Sequence, residues 1–271
     1  IEVAQTGGPE VLTYVEKPTP SPAAGEVLIK AEAIGVNFLD TYFRSGQYPR
    51  EVPFIVGNEV CGTVEAVGDD VAALKAGDRV VTDKANGGYA EYCVAPADFV
   101  AYVPEGVDSD VAAASLLKGM TAHYLAYTTY PLKPGDACLV HAAAGGVGLL
   151  LVQMAKQCGA RVFGTVSTEE KAALAREAGA EAAILYTRQD FEAEVKRLTD
   201  GKGVQVVYDS VGKTTFEKSL NCLAPLGYLV LYGQASGPVA PFDPAVLSGK
   251  GSLFLTRPTL GHYTADRASL E

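Results

Sequence analysis

The stretch from Ala137 to Thr168 restricts the possible folds more than any other part of the chain. It opens with a short apolar run, Ala137-Cys138-Leu139-Val140, set behind Pro134-Gly135-Asp136 as a buried strand would be. His141-Ala142-Ala143-Ala144-Gly145-Gly146-Val147-Gly148 follows, a loop of residues with almost no side chain. Val147, Leu150, Leu151, Met154, Ala155 and Cys158 then recur at the spacing of one helical face, and Gly159 ends the pattern. Residues 161–166 read as a second strand. Strand, glycine loop, helix and strand form one βαβ unit. Small residues let backbone N–H groups approach a pyrophosphate, and the helix N-terminus adds the positive end of its dipole. Glycines alone mark many ordinary turns. Flanked by a strand and a helix, they predict a dinucleotide cradle at Ala144, Gly145, Gly146 and Val147.

The alternation continues to the end of the chain. Ser167-Thr168-Glu169-Glu170 has capping-box spacing, and the helix it opens stops at Gly179. Further strands are predicted at 182–186, 204–208, 228–232 and 252–256, which completes the six of a doubly wound parallel sheet. Residues 1–118 are different in kind. Strands at 27–34, 61–67, 79–82 and 90–94 alternate with Gly-Asp turns, and Lys17-Pro18-Thr19-Pro20-Ser21-Pro22 must be extended. Helices are predicted at 108–117 and 120–129, closed by Pro131 and Pro134. The reading is an α/β protein of two domains, 1–118 and 119–271.

A length of 271 residues allows two domains with cores of their own, and 48% hydrophobic with 20% charged residues is ordinary for a globular protein. No apolar run approaches the roughly 20 residues of a membrane span, and the start does not resemble a signal peptide. A net charge of -10 argues against a nucleic-acid groove as the main site. Five scattered cysteines, Cys61, Cys93, Cys138, Cys158 and Cys222, are expected to be free thiols of a reducing cytoplasm.

Four stretches carry a family likeness. They are Gly35-Val36-Asn37-Phe38-Leu39-Asp40-Thr41-Tyr42, the loop from His141 to Gly148, Val207-Tyr208-Asp209-Ser210-Val211-Gly212, and Gly251-Ser252-Leu253-Phe254-Leu255-Thr256-Arg257-Pro258. Through them the chain resembles the zinc-independent quinone oxidoreductases of the medium-chain dehydrogenase/reductase superfamily. The resemblance implies a GroES-like catalytic domain at 1–118, a Rossmann domain at 119–271, NADPH in the cleft between them, and a homodimer pairing sixth strands edge to edge. Family members continue past the position of Glu271 and return to the first domain. The resemblance therefore implies that this chain leaves the first domain's sheet incompletely closed, and that Ile1 begins inside the first strand.

Metal chemistry is the first question the residues answer. Related alcohol dehydrogenases place a zinc-binding histidine in a Gly-His-Glu segment, whereas Gly57-Asn58-Glu59 offers an amide, a poor zinc ligand. No closely spaced cysteines supply a structural zinc lobe, so no metal is expected. Glu59 reads as a structural acceptor before a base. Cofactor choice is the second question. An NAD site usually carries an acid after the second strand to hold the ribose 2′-OH. Here Gly164-Thr165-Val166-Ser167-Thr168 has none, while Ser167 and Lys171 suit a 2′-phosphate and predict NADPH. A helix cap for Ser167 and a solvated surface position for Lys171 remain open. The resemblance adds Tyr186 on the adenine side, Thr121 near the nicotinamide, and Arg257 as a cofactor contact or a surface ion pair.

Asn37, Asp40, Tyr42 and Tyr48 cluster on a polar, loop-like segment that lines the nicotinamide and substrate pocket in the resembling family. Asn37 and Asp40 are placed toward the cofactor. Tyr42 or Tyr48 would donate to a quinone oxygen, with packing at a domain rim as the plainer role. Ser210, Gly233 and Gln234 follow predicted strands at their carboxyl ends, where such sheets bind ligands. His141 reads as a satisfied buried histidine before an acid–base group. The reading is an NADPH-dependent, metal-free quinone oxidoreductase. An enone or alkenal reductase and a non-catalytic NADPH sensor are the alternatives.

Overall fold

Alternating apolar and polar residues build the first part of the chain as antiparallel strands. The computed structural model describes residues 1–270. In chain order the strands are β1 (Glu2–Val3), β2 (Leu12–Thr13), β3 (Glu26–Gly35), β4 (Phe54–Ile55), β5 (Glu59–Val67), β6 (Arg79–Thr82), β7 (Tyr92–Pro96) and β8 (Ala101–Tyr102). They form a three-stranded sheet, β2-β1-β4, and a five-stranded one, β7-β3-β5-β6-β8. Val27, Ile29, Val60, Val64, Val80, Cys93 and Ala95 fill the core of the larger sheet. β3 and β5 approach so closely that a Cβ at Gly62 would lie 2.0 Å from the Lys30 carbonyl oxygen, so only glycine fits there.

Two local expectations are corrected here. The segment after β3 is not loop-like, because Phe38–Ser45 is a helix, α1. Asn37 caps it in a capping box with Asp40, and Gly46, at φ 78°, ends it. Asn-x-x-Asp is a helix start in which the acid reaches back to the cap's N–H. Ser109–Tyr124 is one helix, α2, where two are predicted from sequence. Gly119 lies in its interior with nothing within 4 Å of a Cβ position. A glycine there costs only about 1 kcal/mol relative to alanine, which is too little to break the helix. A wider turn at Leu125–Thr129 follows, in which the Tyr130 N–H reaches the Leu125 carbonyl at 3.4 Å.

A strand covered on both faces needs apolar residues at consecutive positions. β9 (Ala137–Val140) meets that demand with every residue buried. Ala137 and Leu139 pack with Phe163, Val195 and Leu229, while Cys138 and Val140 pack with Leu151, Val162 and Tyr208. Full burial of a leucine such as Leu139 contributes about 1.5–3 kcal/mol. The remaining strands are β10 (Arg161–Val166), β11 (Ala182–Leu185), β12 (Val204–Asp209), β13 (Leu223–Leu231) and β14 (Phe254–Thr256). Between them run α3 (Gly146–Gln157), α4 (Glu169–Ala178), α5 (Phe191–Leu198), α6 (Phe216–Asn221) and α7 (Ala245–Gly249). All strand pairs are parallel, in the order β11-β10-β9-β12-β13-β14. The fold is a doubly wound Rossmann sheet, and its winding reverses between β9 and β12.

β13 begins five residues before its predicted start, because Leu223 pairs with Val204 across a bulge. β14 begins two residues late, since Ser252 sits at φ 57° and cannot extend the strand. The chain divides into two units, Ile1–Leu117 with the residues from Thr264 on, and Lys118–Tyr263. The sequence boundary assigns 119–271 to the second domain, whereas the structure groups Thr264 onward with the first. There α8 (Arg267–Leu270) donates from Arg267 Nη1 to the Val100 carbonyl at 2.6 Å. No helix among the described residues is long and apolar enough to cross a membrane.

Candidate functional site

In a sheet of this order, ligands bind beyond the carboxyl ends of the strands at the reversal of winding. β9 ends there and hands the chain to the glycine loop. Ala142 takes the left-handed conformation at φ 51°, and its carbonyl accepts the Gly145 N–H at 2.8 Å. Gly145 is the N-cap of α3, and both Gly145 and Gly146 are exposed. The first N–H groups of a helix have no intrahelical acceptor, so the opening of α3 offers donors, and the Lys118 side chain packs against Gly146, its Cδ 2.8 Å from where a Cβ would lie. A Cβ at Gly148 would fall 2.3 Å from the Ala142 carbonyl oxygen. Loop and helix thus meet backbone to backbone. These residues fit a pyrophosphate.

The other strand ends carry most of the remaining candidates. Ser167 lies between β10 and α4, half-buried, and is not the helix cap. Thr168 takes that role, its Oγ1 accepting the Lys171 N–H at 3.3 Å, so the Ser167 hydroxyl is not used in capping. Lys171 stands exposed on the first turn of α4. Tyr186 follows β11, is 52% exposed, and donates its N–H to the Val166 carbonyl at 3.1 Å. Arg188, two residues on, was not singled out from sequence. Its guanidinium lies 3.4 Å from Glu169 on an exposed surface. Ser210 follows β12, and its carbonyl accepts the Ala235 N–H at 3.0 Å. Gly233 follows β13, where a Cβ would lie 2.6 Å from the Ser210 carbonyl oxygen, so the two loops interlock through backbone. Gln234 comes next and is half-buried. Arg257 follows β14 and donates to the Leu231 carbonyl at 3.1 Å. Ala144 to Val147, Ser167, Lys171, Tyr186, Ser210, Gly233, Gln234 and Arg257 all belong to one edge of the sheet. Thr121 does not follow a strand and is buried in α2.

The first unit holds the polar candidates of α1. Asn37 is 7% exposed and both ends of its amide are engaged within the protein. Nδ2 donates to Glu59 Oε2 at 2.8 Å, and the side-chain oxygen belongs to the capping box. Asn37 is thereby tied to Glu59 and caps α1. Glu59 is fully buried and accepts a second bond from the Leu117 N–H at 2.8 Å. Asp40 Oδ2 accepts the Asn37 N–H and the Tyr89 hydroxyl, each at 2.9 Å. Burial, and after it the charge of Asp40, push the Tyr89 phenol above its ordinary pKa, so it remains a donor. Tyr42 is buried on α1 and its ring lies 5.0 Å from that of half-buried Tyr48, whose N–H donates to the Tyr42 carbonyl at 3.0 Å. The structure brings these two rings together.

Asn58 Nδ2 donates to the Ala85 carbonyl at 3.3 Å, while its Oδ1 is buried with no hydrogen-bond partner. Among the described residues, no group of three or more His, Cys, Asp and Glu is placed to hold a metal. The five cysteines are free, and all but Cys158 are buried.

Two family models match the chain. The model for the alcohol dehydrogenase GroES-like domain matches residues 23–105, and that for zinc-binding dehydrogenases matches 146–262. A quinone oxidoreductase of Pseudomonas aeruginosa is 49% identical over 265 residues, 97% of this chain and 82% of that protein. A 2-haloacrylate reductase of a Burkholderia species is 46% identical over 277 residues, covering 99% and 83%. A mycobacterial protein solved as a complex with NADPH superposes with a TM-score of 0.97 at 58% identity, covering 100% of this chain and 84% of the other.

Proposed function

Because this chain belongs to the quinone oxidoreductase family of the medium-chain dehydrogenase/reductase superfamily, we propose that it reduces quinones with NADPH. The observation that carries the reading is the glycine cradle at the reversal of the sheet, with Ser167 directly after β10, no acid before Glu169, and Lys171 on the first turn of α4. Bound NADPH supplies a hydride to the acceptor, which also takes up a proton and leaves as the hydroquinone. In this reading the α3 N-terminus holds the pyrophosphate, and the Ser167 hydroxyl and Lys171 ammonium take the 2′-phosphate. Tyr186 packs on the adenine side. Ser210, Gly233, Gln234, Arg257 and Thr121 frame the nicotinamide half. A Tyr42 or Tyr48 hydroxyl would donate to the acceptor's oxygen, with Asn37 and Asp40 on the cofactor side. An amide whose nitrogen already donates to a carbonyl is a poor zinc ligand, so the reaction is assigned no metal at Asn58.

A conjugated carbonyl is the second acceptor class, favoured by the similarity to the 2-haloacrylate reductase. The assay that tests the reading measures NADPH and NADH oxidation against paired quinones and enones. Lys171→Ala should raise the NADPH Kd about tenfold, the loss of one charge-assisted hydrogen bond, and leave NADH unchanged. Exhaustive chelation should not change turnover. Equal losses for both cofactors, or zinc-dependent activity, would remove the corresponding assignment. Cofactor binding without turnover of any acceptor would point to a sensor instead.

Free, mostly buried thiols support a cytoplasmic location, which fractionation of the native host would test. A homodimer through β14 is supported by the open edge of that strand, where Phe254 is 48% exposed and stacked on Tyr228. Sedimentation equilibrium reading a monomer would remove it.

A further inference from the structure

Beneath the glycine loop lies a buried polar chain that the proposed chemistry does not use. His141 is 1% exposed, Thr165 2%, and Asp209 and Ser219 0%. His141 Nδ1 is 2.9 Å from Thr165 Oγ1, and Nε2 is 3.0 Å from Ser219 Oγ. The Ser219 hydroxyl in turn lies 3.1 Å from Asp209 Oδ2. Distances alone leave the tautomer of the ring undecided. Counting donors decides it. Asp209 is surrounded by donors: the N–H groups of Val211 and Gly212 at 2.8 and 3.0 Å, the Thr215 hydroxyl at 2.7 Å, and Ser219. A carboxylate only accepts, so Ser219 must give its single hydroxyl hydrogen to Asp209. Ser219 Oγ is then an acceptor toward the ring, and His141 Nε2 must carry the hydrogen. Nδ1 is bare and accepts from the Thr165 hydroxyl.

We propose that Ser219 is a positioning residue of the dinucleotide site, holding His141 as the neutral Nε2–H tautomer so that its ring fastens the glycine loop to the strand ends. The chain of bonds spans the adjacent strands β10, β9 and β12 and reaches α6, with Phe191 of α5 packed edge-on against the ring at 4.9 Å. Its anchor, Asp209, also shapes the loop that carries Ser210. Burial lowers the His141 pKa, and the charge of Asp209 opposes that effect without reaching the ring directly. Enclosed in this way, the ring cannot touch a ligand and acts through the loop alone. The inference rests on the reading of that loop as a cofactor cradle.

The test combines imidazole nitrogen NMR with cofactor titration. The chain has three histidines, and His123 and His262 are exposed, so the signals of the buried ring are those that persist in a His123→Gln/His262→Gln protein. The His141 signals should show a protonated Nε2 and a bare Nδ1. Ser219→Ala should weaken NADPH and NADH alike, by about tenfold, and change kcat at saturating cofactor by less. That equal loss separates it from Lys171→Ala, which is selective. Thr165→Val should alter the Nδ1 signal and weaken both cofactors, while Thr165→Ser, which keeps the hydroxyl, should restore them. A proton on Nδ1 or unchanged affinities in Ser219→Ala would overturn the proposal. A parent protein that binds neither cofactor would overturn the cradle reading and the positioning role together, and the NMR result would still report on the hydrogen-bond assignment.

Discussion

Replacing Gly148 with alanine should raise the Kd of NADPH and of NADH together, by between about tenfold and a hundredfold. The added methyl would lie 2.3 Å from the Ala142 carbonyl oxygen and 2.9 Å from the backbone of Ala143. Neither atom is the end of a flexible side chain, so the loop itself has to move. Overpacking of this kind costs about 1–3 kcal/mol, and each 1.4 kcal/mol is tenfold in affinity when the displaced atoms are those that hold the ligand. The same cost should lower the melting temperature by several degrees. Gly145→Ala is the comparison, since its methyl would meet only the Ala142 oxygen, at 3.1 Å, and its position is exposed. Titration of both cofactors against both variants, with thermal unfolding in parallel, checks the expectation. A Gly148→Ala protein that melts early but binds both cofactors as the parent does would show that the loop yields without disturbing a cradle.

The strands and the glycine loop were legible because local chemistry determines them. Residues 137–140 and 161–166 are observed with the predicted bounds, since a doubly covered strand is built mostly of apolar residues and the turns beside it are marked by glycine. The parallel order could be anticipated from the count of strands and helices for the same reason. What escaped were features that depend on distant partners. The helix at 38–45 was hidden because its start signal is an Asn and an Asp, residues equally at home in a polar loop, and its stability draws on Glu59 and Tyr89. The single helix over 109–124 was hidden by Gly119, whose local cost is outweighed by packing that no local pattern reports. At the candidate site, positions following strand ends could be chosen from topology alone. The engagement of Asn37 and the exchange of Ser167 for Thr168 as cap both needed coordinates.

The tyrosine pair gives the other large expected effect. With no metal assigned to polarise the acceptor, the acceptor must already be electrophilic, as a quinone or enone is. Hydride transfer then leaves negative charge on its oxygen, which a phenol hydroxyl can stabilise. The Asn37 amide nitrogen is already engaged, donating to Glu59 at 2.8 Å. Tyr42 and Tyr48 remain, with rings 5.0 Å apart on and beside a capped helix. Phenylalanine keeps the ring packing, so each Tyr→Phe substitution reports on a hydroxyl and not on the fold. Loss of one donor at a developing oxyanion costs about 2.7–4 kcal/mol, or about a hundredfold or more in kcat. Water can partly replace a phenol toward so reactive an acceptor, which places the expectation at the lower end, about a hundredfold for the critical hydroxyl. The two substitutions should not add if both hydroxyls serve one oxygen, since the second removes a donor already made redundant or already required. Steady-state kcat with a quinone, and NADPH Kd, for Tyr42→Phe, Tyr48→Phe and the double variant decide among these outcomes. A fall in kcat at unchanged Kd assigns the hydroxyl to the reacting oxygen. Parental turnover in all three variants would mean that neither hydroxyl takes part, and that this surface of α1 only positions what binds beside it.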